Sequence, residues 1–281
     1  MKVKIIADSS CDIYELNGID FQSVPLTISS NERSFVDDEN NNLDEMLSYF
    51  ASHEGRSFTS CPNINDWLQA YEGADELYVV TITSGLSGSY NSARLAANMY
   101  AEKNPQAKVH VFDSLSTGPE MRLMIDKIAE LVKQNKSFDD VVSAVLDYKK
   151  YNRLFVVLES FKNLANNGRV SKTVARIAGI LGIRILATAS KEGTIETKSK
   201  CRGEKGVLKG CLESIVEAGY RGGKVYISHC RNSMFANNLK NSILSLYPKA
   251  KVLVYEARGL CSYYAEKGGV ILGCECTKAY M

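Results

Sequence analysis

Between Thr83 and Ala93 the chain runs Thr-Ser-Gly-Leu-Ser-Gly-Ser-Tyr-Asn-Ser-Ala. Two glycines and four serines stand there between a strand-like apolar run and a helical pattern. Glycines let backbone approach a ligand, and the free amides of a helix start favour an anion. Serine hydroxyls add donors without adding charge. A helix cap needs one hydroxyl, so several point to recognition of an acidic head group. A second group is Phe58-Thr59-Ser60-Cys61-Pro62, where the proline constrains its neighbour to an extended backbone and lets the hydroxyls point out together. Thr59, Ser60 and the serines from Ser84 to Ser89 therefore read as a grip on the acidic end of a small ligand.

Other chemistries fit the spacing poorly. Gly85-Leu86-Ser87-Gly88-Ser89 misplaces the last glycine of a nucleophile elbow. No Walker phosphate loop and no dinucleotide fingerprint occurs. The three histidines, His53, His110 and His229, lie far from the serine loop in sequence. A rival reading with Ser87 as the nucleophile of an acyl esterase or transferase thus lacks an evident base. Eight cysteines include no CxxC pair, so reduced, mostly buried thiols are expected and no metal site. Two further segments hold cations: Asn166-Asn167-Gly168-Arg169 offers a guanidinium fork after a turn, and Lys198 to Lys205 carries Arg202 in a basic cluster.

The elements that must position these residues alternate short apolar runs with amphipathic ones. Val3–Ala7, Val24–Ile28, Leu77–Ile82 and Lys108–Phe112 read as strands. Helices are expected over 43–53, 90–103, 120–134 and 139–150. Strand-loop-helix order argues for a parallel sheet covered on both faces, with ligand outside the carboxyl ends of its strands. Three of those ends are Asp8-Ser9-Ser10, Thr83-Ser84 and Asp113-Ser114, which should face one crevice. A second unit starts near Arg153: a strand over 154–158, a hairpin over 183–187 and 194–198, and further strands at 225–228 and 251–255 with helices over 206–218 and 234–246. The expectation is an α/β protein of two domains, 1–152 as an α/β/α three-layer parallel sheet and 153–281 as a two-layer mixed sheet.

Composition narrows the class. Of 281 residues 45% are hydrophobic, and 34 basic against 32 acidic residues leave a formal charge of +2. That balance favours neither nucleic acid nor a membrane surface as partner. No run is long enough to span a membrane or form a signal-peptide core, so a cytoplasmic protein is expected.

Five segments in order, Ala7 to Asp12, Thr59 to Pro62, Ser84 to Ala93, Phe112 to Ser114 and Leu164 to Val170, resemble the signature elements of the DegV family of fatty-acid-binding proteins. Cys61 and Asn63 depart from its pattern, and Tyr264 stands where many members carry a histidine near the ligand head. The resemblance implies a long-chain fatty acid such as palmitate in a buried tunnel, with its carboxyl hydrogen-bonded by Thr59 and Ser87. Ser9, Ser60, Ser84, Gly85 and Tyr264 would support that site, and Arg169 and Arg202 would stand at the pocket mouth or toward a partner. It implies a non-catalytic carrier without cofactor, some members of which present the acid to a fatty acid kinase subunit for acyl-phosphate formation in phospholipid synthesis. A lipid-sensing regulatory protein is the other alternative. Burying a sixteen-carbon chain contributes about 12 kcal/mol before costs, at roughly 0.8 kcal/mol per CH₂. The tail should therefore set affinity and the hydroxyls select the head. Candidate tunnel walls are the apolar runs 154–158 and 177–183.

Overall fold

The computed structural model of the protein describes residues 2–171 and 182–279. Its first sheet is parallel throughout, in the order β2-β1-β6-β7, with β1 at Val3–Asp8, β2 at Phe21–Val24, β6 at Glu76–Thr81 and β7 at Lys108–Asp113. β1 and β6 read as nearly continuous apolar runs because both faces are covered. Ile6, Leu77 and Val79 pack on α2 (Ile64–Tyr71) and α3 (Ser89–Lys103) through Trp67, Tyr71 and Tyr100. Ile5, Tyr78 and Val80 face α4 (Gly118–Lys133) and α5 (Phe138–Lys149) through Met121, Met124, Ile125 and Val141. This is the three-layer arrangement the strand-helix alternation implies.

The second sheet is mixed and six-stranded, in the order β10-β9-β8-β13-β11-β12. Its members are β8 (Asn152–Leu158), β9 (Ile183–Ala189), β10 (Ile195–Arg202), β11 (Lys224–His229), β12 (Lys251–Glu256) and β13 (Val270–Glu275). The expected hairpin is β9 with β10, antiparallel through a turn at Gly193. Helices α7 (Gly203–Glu217) and α8 (Ser233–Leu246) cover one face through Val207, Ile215, Phe235 and Leu239.

The other face meets α4, which lies between the two sheets and packs against β1, β6, β8, β11 and β13. At this contact a Cβ on Gly273 of β13 would stand 2.6 Å from the Glu120 backbone nitrogen, so only glycine lets strand and helix start approach so closely. The shared helix joins the two halves of the chain into one packed body. β13 escapes the sequence pattern because its six residues include Gly273 and Cys274 and show no alternation: both sides of it are buried.

The run read as one strand over Val24–Ile28 is two. Pro25 has no N–H for a ladder, and the chain leaves the parallel sheet there. It re-enters as β3 (Thr27–Ser30), which pairs antiparallel with β4 (Ser34–Val36) and β5 (Ser57–Ser60) in a small third sheet. That sheet carries Thr59.

Candidate ligand-binding site

Local chemistry places the hydroxyl loops. At the start of α2, Asn63 Oδ1 accepts from the Asn65 and Asp66 amides, and Asp66 Oδ2 accepts from the Asn63 amide, which closes a reciprocal capping box directly after Thr59-Ser60-Cys61-Pro62. The loop after β6 is held instead by Asp8, fully buried at the end of β1. Its carboxyl accepts from the Ile82 amide at 2.9 Å, Ser89 Oγ at 2.6 Å and Ser10 Oγ. Burial pushes Asp8 above the usual carboxylate range despite those bonds. Asp113 Oδ1 at the end of β7 accepts from the Ser84 amide at 3.1 Å. The three strand ends thus do converge, but as mutual supports rather than as three parallel donors to a ligand.

The serines of the loop divide the work. Ser89 serves Asp8, and Ser92 Oγ donates to the Pro62 carbonyl at 2.8 Å, tying the two hydroxyl loops together. Among the described residues Ser87 Oγ accepts only from the Ser89 amide, at 3.3 Å, and it lines a cavity between the two halves of the chain. Apolar side chains from both halves line it, among them Leu26, Ile82, Leu86, Val156, Leu158, Leu164, Ile195, Leu260 and Ile271. Its polar side chains are few: Thr59, Ser87, Arg169 and Tyr264, with Thr117 and Cys261 beside them.

Four of the expected residues therefore meet on one cavity. Tyr264 lies on α9 (Gly259–Ala265), and its hydroxyl is 2.7 Å from Thr59 Oγ1. Burial raises its phenol above the usual range, against the opposing pull of the Thr59 bond and the Arg169 charge, so it stays neutral. Arg169 Nε donates to the Leu86 carbonyl at 3.1 Å, which sets its guanidinium beside Ser87, and a further bond goes to the Asn167 carbonyl.

The remaining expected residues lie elsewhere. Ser9 is buried and accepts from the Leu26 amide at 3.0 Å; it shapes the loop rather than the cavity. Ser60 and Ser84 are exposed and absent from the lining, because alternation along β5 turns Ser60 away from Thr59. Arg202 ends β10 in solvent, also away from the cavity. Gly85 acts by what it lacks: a Cβ there would stand 2.5 Å from the Glu192 carbonyl, in the β9–β10 turn of the other half. Of the proposed walls, Val156 and Leu158 line the cavity, whereas 177–181 lie outside the described residues. None of the three histidines is among the described lining residues.

What holds α9 over the cavity was not apparent from sequence spacing. Asp37, fully buried, caps its start, accepting from the Gly259 amide at 2.8 Å and the Leu260 amide at 3.0 Å. Arg258 bonds the Asp37 carbonyl, donates to the Ile13 carbonyl at 2.6 Å and to Ser23 Oγ at 2.8 Å. Tyr263, beside Tyr264, is 2.6 Å from Ser57 Oγ and receives Asn167 Nδ2 at 3.1 Å. Ser57 and Thr59 are two apart on β5 and take the two adjacent tyrosines.

The sequence of the whole assembly matches a known pattern: the family described as "Uncharacterised protein, DegV family" matches over residues 2–273. The chain belongs to the DegV family. A DegV domain-containing protein of Streptococcus pyogenes serotype M1 is 42% identical over 279 residues, covering 98% of this chain and 100% of that one. The crystal structure of a DegV family protein from Eubacterium eligens, loaded with heptadecanoic acid, superposes with a TM-score of 0.96 at 47% identity, covering 98% of this chain and all of that one. The Fatty Acid Kinase (Fak) B3 protein of Streptococcus pneumoniae, loaded with linoleic acid, gives a TM-score of 0.97 at 40% identity, over 99% and 100% of the two chains. The DegV fold of this chain is thus that of structures holding fatty acids. Among its described residues, no helix is long and apolar enough to cross a membrane.

Proposed function

We propose that this DegV protein binds one long-chain fatty acid, palmitate being a representative, as a non-catalytic carrier. The tail occupies the cavity as a tunnel, and Thr59 and Ser87 hold the carboxyl. One observation carries the reading: a cavity lined mostly by aliphatic side chains joins Thr59, Ser87, Tyr264 and Arg169 on its wall. Buried methylenes supply affinity, and a few neutral hydrogen bonds worth about 1 kcal/mol each select the acid over an alcohol or ester. Tyr264 donates to Thr59, leaving the Thr59 proton to the carboxylate. The structures of similar chains with heptadecanoic and linoleic acid support the ligand class.

Similarity to the Fak B3 protein supports a further step. A fatty acid kinase subunit docks at the cavity mouth, and a carboxylate oxygen of the bound acid attacks the γ-phosphorus of ATP. ADP leaves and an acyl phosphate remains. Arg169, held beside Ser87, offsets charge at that end of the site. Mass spectrometry of lipid extracted from protein purified under native conditions tests the first part. Absence of a co-purifying fatty acid, together with failure of delipidated protein to take one up, overturns it. Incubation of the loaded protein with a fatty acid kinase and ATP tests the second, with acyl phosphate trapped as a hydroxamate.

A further inference from the structure

The cavity has a second polar place on its wall, apart from the Thr59–Tyr264 pair. Thr117 and Cys261 both line it, and Thr117 Oγ1 lies 3.6 Å from Cys261 Sγ. Thr117 stands at the N-cap of α4, where a threonine oxygen ordinarily accepts from the second or third helical amide. Here it makes no capping bond. The second helical residue is Pro119, which has no N–H, and the Thr117 side chain joins the cavity wall instead.

The Cys261 thiol is already engaged. Its Sγ donates to the Ser10 carbonyl at 3.4 Å, with the Asp12 carboxyl beside it. A thiol has one proton, so the contact with Thr117 is an O–H donated to sulfur, a weak acceptor. Among the described residues no other side chain or amide reaches Thr117 Oγ1, and Thr117 is only partly buried. Its oxygen lone pairs are therefore open toward the cavity. The wall around it is aliphatic, with Ile82, Leu260 and Ile271. An alkyl chain lying there removes water from this oxygen and offers nothing in return, which costs free energy. Cys261 and Tyr264 are three residues apart on α9 and share one face of it. Thr117 thus sits about one helical turn along the wall from the tyrosine that meets Thr59.

We propose that, with the cavity as the acyl site described above, it also takes fatty acids hydroxylated at one internal carbon, and that Thr117 selects that position. The ligand hydroxyl donates to Thr117 Oγ1 while the carboxyl stays with Thr59 and Ser87. A hydroxyl at any other internal carbon meets aliphatic side chains and is disfavoured.

Displacement titration of the delipidated full chain with palmitate and with its monohydroxy isomers, carbon 3 to carbon 16, tests it. One internal isomer, or two adjacent ones, should bind about tenfold or more tightly than the rest and about as tightly as palmitate. In Thr117→Val that advantage should disappear. In Thr117→Ser, which keeps the oxygen, it should persist. Dividing each Kd by that for palmitate on the same variant removes any general loss of binding. Isomers that all bind more weakly than palmitate by similar factors, or an advantage that survives Thr117→Val, overturn this selectivity and leave the acyl reading standing. A parent chain that takes up neither palmitate nor any isomer overturns both.

Discussion

The hydroxyls of Thr59 and Tyr264 lie 2.7 Å apart although 205 residues separate them in the chain. One sits on β5 of the small antiparallel sheet, the other on α9 of the second half. Each is a neutral group with one proton to give. If Tyr264 donates to Thr59, the Thr59 proton is free for a ligand carboxylate.

Removing either end of this pair has a different expected cost. Thr59→Val keeps the shape and takes away the hydroxyl proposed to hold the carboxylate, so palmitate affinity should fall by about 1–3 kcal/mol. Tyr264→Phe removes only the orienting bond, at about 0.5–1.5 kcal/mol. Fluorescent fatty-acid displacement measures both. A larger loss for Tyr264→Phe than for Thr59→Val would reverse the assigned order.

Because burial raises the Tyr264 phenol, it stays neutral across the ordinary range and should impose no pH dependence on binding between about pH 6 and 8. Tyr264→His introduces one. An imidazolium favours a carboxylate, so the variant should bind palmitate more tightly as pH falls through the imidazole pKa near 6.5. Parallel pH profiles for parent and variant would rule this out.

The serine loop offers an internal control. Ser87 faces the cavity, whereas Ser84 is exposed and its amide is bound to Asp113. Ser87→Ala should weaken palmitate by about 1–3 kcal/mol, and Ser84→Ala by less than about 0.5 kcal/mol. Equal effects would disconnect the cavity from the loop's role. Ser9→Ala should lower the melting temperature rather than the affinity, since its hydroxyl accepts a buried amide.

Ile195 lines the cavity from β10 and is only partly buried, so Ile195→Trp should fill space without breaking the sheet. Affinity should then fall with chain length. At about 0.8 kcal/mol for each CH₂ excluded, palmitate loses more than decanoate. A uniform loss across chain lengths points instead to a disturbed head-group site.

Stability should also respond to pH through Glu120. Its carboxyl is buried at the start of α4, accepts from Ser116 Oγ at 2.6 Å, and is pushed up to about 7 by that burial. The folded state therefore holds a proton that the unfolded chain releases near its ordinary value of about 4.3. Its contribution is fully present below that value and is lost as pH rises through about 7. Urea unfolding at pH 5 and pH 8 should show the decline, and Glu120→Gln should reduce it by roughly 2–3 kcal/mol. A decline of unaltered size in the variant excludes Glu120 as a source.

Much of this was legible in residue order. Apolar runs of strand length separated by helical spacing led to the parallel sheet, because both are local patterns. Glycines and serines after β6 marked the loop that brings Ser87 to the cavity wall for the same reason. β13 and the break at Pro25 were not legible: a short buried strand lacks alternation, and the pattern at 24–28 is the same whether one sheet or two receive it. Ser60 and Ser84 entered the expected site by adjacency in sequence, and the pleat and the Asp113 bond turned them away.

The sequence by itself determined that the loop Ser84 to Ser89 would carry hydroxyls rather than charges. Only tertiary structure decided which of them line the cavity. Asp37 reaches 222 residues along the chain to cap α9, and that cap sets Tyr264 over Thr59. Local propensity acts over a few residues, whereas these contacts depend on how α4 packs the two sheets together.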